Sequence, residues 1–190
     1  MEKFPAFAHP WWVNLLIIVP AAAYFLWRGK GLELTLRKKL IITAFALAFG
    51  FVEAVVVVYL RAAAGLLSGY NAATYRQAES LARFPPRLLT IEVLREAATM
   101  LMLVCTALLA APRTRERSAS FLWAFAIWDI AYYAGLWATM RWPTSLKEID
   151  VLFLIPVPWV AQVWYPLLVS ALTLLAVSMA KSTASTPTTD

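Results

Sequence analysis

Glu92, Arg95 and Glu96 fall within five positions at the head of an apolar run, IEVLREAATMLMLVCTALLAA. Spacings of three and four residues put them on one face of a helix, together with Thr99 and Thr106. Buried carboxyls with raised pKa values can work as general acids and bases, and a neighbouring guanidinium can orient them. The same spacing also describes a structural i, i+3 salt bridge between Glu92 and Arg95. Two further acids stand in apolar surroundings: Glu53 in FGFVEAVVVVYL, and Asp129 in WDIAYY, followed by Tyr132 and Tyr133. WDIAYY is either an aromatic packing face or a proton donor beside a lining for an apolar or cationic ligand.

The rest of the chain says where these groups must sit. Of 190 residues, 62% are hydrophobic and 15% charged, and the mean hydropathy is +0.68. Such a composition predicts an all-α integral membrane protein, a bundle of about five transmembrane helices. The nine Trp and seven Tyr suit interfacial aromatic belts. The net charge of +6 comes mostly from short connections, which reads as a topology signal and contact with the lipid bilayer rather than nucleic acid. One cysteine and one histidine argue against zinc, haem and di-iron, while a hard cation stays compatible with the carboxyls.

Hydropathy predicts spans over 11–27, 40–60, 88–111, 121–140 and 151–180, forming a single domain over 1–180 with a disordered tail at 181–190. The last span holds Pro156, Pro158 and Pro166. It is expected to be broken, with LFLIPVPW folding over the bundle before a helix that crosses from about Trp159. AAA at 21–23 resembles a signal cleavage site, yet the preceding MEK carries no net positive charge, so the first segment reads as a span. A small excess of Lys and Arg in the first and third connectors and the tail places the N-terminus outside and the C-terminus in the cytoplasm of a multi-pass cell-membrane protein.

Depth can be read without orientation. Glu53 lies eight residues, or about 12 Å of helix, before Arg61. Glu92, Arg95 and Glu96 open the next span from the same loop, and Asp129, Asn14 and Gln162 fall in the same half. The opposite half is nearly all apolar, with Thr43, Thr106 and Ser170 as its polar residues. At least four acids therefore face one in-span base, and such an excess requires protonation, an incoming loop arginine such as Arg83, Arg87 or Arg141, or a bound cation. Arg76, Arg83 and Arg87, with Tyr70 and Tyr75, either grip a headgroup at the site's mouth or form a solvated loop. Trp142, Pro143 and VPW at 157–159 read as interface anchors and turn formers.

The candidate catalytic set is thus Glu53, Glu92, Arg95, Glu96 and Asp129, with Tyr132, Tyr133, Asn14, Gln162 and Arg87 as candidate binding residues. The arrangement is similar in kind to small helical membrane isomerases and cyclases that protonate lipid-like alkenes. That likeness implies acid–base chemistry on a lipid- or isoprenoid-like small molecule. An accessory subunit held together by its polar cluster, with other membrane subunits as partners, is the alternative. A proton- or cation-coupled transporter is the third reading, weakened by the lack of an internal repeat. Whether the chain is an enzyme is left open by the sequence.

Overall fold

The structure, a computed structural model, describes residues 8–29, 31–63 and 86–180. A 3₁₀ segment, Trp11–Ile17, runs into α1 (Ile18–Arg28). α2 (Leu36–Ala63), α3 (Pro86–Ala110) and α4 (Thr114–Met140) follow. A hairpin of β1 (Ile149–Phe153) and β2 (Trp159–Gln162) then leads to α5 (Trp164–Met179). Four helical stretches, counting the 3₁₀ segment with α1, are long and apolar enough to cross a membrane.

The expectation of an all-helical chain is corrected at residues 149–162. Pro156 and Pro158 cannot donate to a helical ladder, and IDVLF and WVAQ are rich in β-branched and aromatic residues, so the segment pairs as antiparallel strands. Asp150 faces Ala161, and Val151 faces Val160. The outer edge of β2 is taken up by His9, whose backbone exchanges two hydrogen bonds of 2.7 and 2.8 Å with Val160. The hairpin displaces the last helix, which begins at Trp164 rather than near Trp159. Its 16 residues are fewer than the about 20 that a straight crossing takes. Pro166 fits there because the first turn has no intrahelical partner for the missing N–H.

Two other boundaries move. α2 begins at Leu36 rather than Leu40. α4 begins at Thr114, so most of the connector PRTRERSAS is helix. Pro112 stops α3, and Glu116 sits in the first turn of α4, where the helix dipole favours an acid.

α2 and α4 pack most closely, because small residues face each other across their crossing. A Cβ added to Gly50 would lie 2.5 Å from the Trp128 carbonyl oxygen and 2.7 Å from the Ala131 Cβ. Ala46 and Ala54 on the same stripe are fully buried. Gly50→Ala is therefore expected to destabilise the protein by about 2 kcal/mol through overpacking, read as a lower melting temperature in detergent. α5 packs on both α4 and α1, and α3 packs on α4 and only lightly on α2. The space this leaves beside α3 is roofed by the hairpin.

Candidate functional site

A cavity of about 140 Å³ lies between α2, α3, α4, α5 and the hairpin. Glu53, Glu92, Arg95, Glu96 and Asp129 all line it, as do Tyr132 and Tyr133. The sequence places these residues at one depth on three helices, and the fold turns their polar stripes toward a common space.

Arg95 occupies the junction of α2 and α3. Its guanidinium pairs with Glu53 across the two helices and with Glu92 one turn back, the Nε–Oε2 bond being 3.0 Å. Thr99 donates its hydroxyl to the other oxygen of Glu53 at 2.5 Å. This group bridges two helices that otherwise touch little, so it holds that corner of the cavity together.

Glu96 and Asp129 are held differently. Glu96 accepts a hydrogen bond from the Leu154 backbone N–H at 2.8 Å, which fastens the hairpin to α3. Asp129 accepts from the Ser170 hydroxyl at 2.7 Å, linking α4 to α5. Among the described residues neither is hydrogen-bonded by a guanidinium.

Sequence reasoning missed a second acid–base pair. Asp150, on β1, is fully buried and accepts from the Tyr133 hydroxyl at 2.8 Å and from the Val151 N–H at 2.9 Å. Burial pushes its carboxyl up to about 6, against the pull of the Arg61 guanidinium, the Tyr133 hydroxyl and the backbone donor. Arg61, which the sequence assigns to a loop, is 1% exposed and lines the cavity. Its guanidinium lies 4.6 Å from the Trp142 ring centroid and bonds the Met140 sulfur at 3.1 Å. Trp142 is accordingly a core residue rather than an interface anchor. Among the described residues, the arginine that folds in from the end of a span is Arg61. Arg141 stays exposed over Trp137, and Arg83 lies outside the described residues. The signal available in the sequence was the pair of buried-type neighbours, Tyr133 and Trp142, that a lone Arg and Asp need for burial. Tyr133→Phe is expected to cost about 1 kcal/mol of stability by removing one donor from Asp150, measurable by thermal unfolding.

Three candidate binding residues fall outside the lining. Asn14 exchanges hydrogen bonds with the Ala8 backbone and donates to the Trp11 carbonyl, so it shapes the N-terminal turn. Gln162 accepts from the Trp164 indole at 2.8 Å. Arg87 is exposed in the first turn of α3. Tyr70, Tyr75 and Arg76 lie outside the described residues, as does the tail. Ser170 moves the other way, from the apolar half to the cavity, because the hairpin delays the start of α5 and sets Ser170 opposite Asp129.

The cavity wall combines five carboxyls, two guanidiniums and a set of aromatic rings packed mostly at tilted angles: Phe125, Trp128, Phe153 and Trp159. No group of three or more acidic, His or Cys side chains converges on a metal-sized point among the described residues. Glu53 and Glu92 share the Arg95 guanidinium, whereas Glu96, Asp129 and Asp150 are each held by a different donor. No known family, curated protein or solved structure matches this chain.

Proposed function

We propose that the chain is an integral membrane protein whose cavity binds a hydrophobic, lipid- or isoprenoid-like substrate and acts on it by acid–base chemistry. Asp129 and Glu96 are the proton-exchanging groups in this reading. The observation that carries it is the division of the carboxyls. Glu53 and Glu92 are bonded to Arg95, and Asp150 lies in the field of Arg61, whereas Glu96 lies in the field of Arg95 without bonding it and Asp129 rests on the neutral Ser170 hydroxyl inside the same cavity. A carboxyl buried without a cation favours its protonated form, which is what a general acid needs. The aromatic wall suits an apolar substrate and would stabilise positive charge that develops on protonating it.

Glu53, Glu92 and Arg95 are positioning residues in this proposal, since their pairing joins α2 to α3. With the N-terminus outside and the C-terminus in the cytoplasm, the cavity lies in the outer half of the membrane. Native mass spectrometry of the purified protein tests the reading. A bound apolar molecule is expected, and its chemical conversion or retention should be lost in Glu96→Gln while the fold persists. A protein that carries no apolar molecule, and whose Glu96→Gln and Asp129→Asn variants differ from it only in assembly with other subunits, would support the structural-subunit alternative instead.

A further inference from the structure

The dimensions of the cavity narrow what its ligand can be. Its lining runs from Leu89 to Thr99 on α3 and from Glu53 to Leu60 on α2. At a helical rise of about 1.5 Å per residue, those stretches are about 15 and 10 Å long. The volume along that depth is only about 140 Å³. A compact dry cavity of about 150 Å³ is filled by benzene. Drawn out over so many residues, a similar volume is one hydrocarbon chain wide, too narrow for fused rings or for two acyl chains side by side. The two ends of the space also differ. Leu89, in the first turns of α3, is 37% exposed, whereas Thr99 and Ser170 are buried. The cavity therefore opens beside the start of α3, where Leu60 from the last turns of α2 makes the mouth apolar, and closes around Thr99 and Ser170. Asp129 bonds Ser170, and Glu96 stands one turn from Thr99, so the two proton-exchanging carboxyls belong to the closed end. Part way down, the Arg95 guanidinium is turned to Glu53 and Glu92, while Val57, Leu152 and Phe153 supply apolar wall.

We propose that this cavity takes a single-chain amphiphile tail first, with the head group outside beside Leu60 and Leu89 and the tail end beside Asp129 and Glu96. This deepens the proposed function and rests on it: the substrate class is a single-chain lipid whose reacting carbons lie toward its tail. The mouth sits where α2 ends and α3 begins, hence at one face of the membrane, and the closed end lies deeper. A lipid in that leaflet already has the matching orientation, because its head stays in water and its chain avoids it. It can enter sideways between α2 and α3, which touch only lightly, without turning over.

Photo-crosslinking in phosphatidylcholine nanodiscs tests this, with two hexadecanol probes that carry a diazirine either at the terminal carbon or next to the hydroxyl. The terminal diazirine is expected to label Phe125 and Val169 at the closed end, and the other to label α3 around Leu89. Excess hexadecanol should remove both labels, and cholesterol neither. Leu89→Trp, which narrows the mouth, and Val169→Phe, which fills the closed end, should each lose the closed-end label. Two variants are used so that a folding defect in one does not decide the outcome. Closed-end labelling by the hydroxyl-side diazirine, displacement by cholesterol as readily as by hexadecanol, or a closed-end label that survives in both folded variants overturns the tail-first assignment and leaves an apolar site standing. Labelling by both probes confined to outward residues such as Leu94 and Leu101 overturns this inference together with the function on which it rests.

Discussion

Asp129→Asn is expected to abolish turnover while leaving the bundle folded. The amide is nearly isosteric with the acid and still accepts the Ser170 hydroxyl, so the contact between α4 and α5 survives. What it loses is the exchangeable proton. Removing a general acid typically slows a reaction by about 10²- to 10⁴-fold. The melting temperature should meanwhile hold or rise, because a buried carboxyl with no cationic partner has been replaced by a neutral group. The measurement is conversion of the copurified ligand beside a melting curve in the same detergent. Full activity in Asp129→Asn would remove this residue from the chemistry, whereas a collapse of the melting temperature would make it architectural.

Arg95→Met is expected to give the largest loss of stability of any substitution in the cavity. It strands Glu53 and Glu92, both mostly buried, without the guanidinium that serves them together. Removing one partner of a buried ion pair typically costs about 3–5 kcal/mol, and most of that is the uncompensated charge left behind. The compensation experiment separates this cause from lost packing. Adding Glu53→Gln and Glu92→Gln to Arg95→Met should restore most of the melting temperature, because no stranded charge remains. If the triple variant melts as low as the single one, Arg95 acts through its packing rather than its charge.

Much of the site was legible in the sequence because it depends on helical periodicity and depth. Glu92, Arg95 and Glu96 had to share a face, and Glu53 and Asp129 had to lie at a similar depth, whatever the tertiary arrangement. What the one-dimensional pattern cannot carry is the pairing of residues distant in the chain. Arg61 ends a span by its position, so it counts as a loop cation until Trp142 and Met140 are seen to enclose it. Asp150 follows a polar connector and looks solvated until the hairpin turns it inward against Tyr133. Asn14 and Gln162 mislead for the opposite reason. A polar residue in an apolar stretch can satisfy itself locally, and both do so through near neighbours.

The sequence by itself determined that this chain is mostly helical, with several stretches long and apolar enough to cross a membrane, and that its acids gather toward one end of those stretches. Composition and a period of 3.6 residues are sufficient for that, since burial of apolar surface and local hydrogen bonding follow them directly. Only the tertiary structure decided which acid meets which base. The Pro-rich segment at 149–162 became a hairpin instead of helix, and that turn of the backbone moved Asp150, Ser170, Trp159 and the Leu154 N–H into the cavity. Strand pairing and helix contact act between residues far apart in sequence, so the partners of Glu96 and Asp129 appear only once the chain has closed around them.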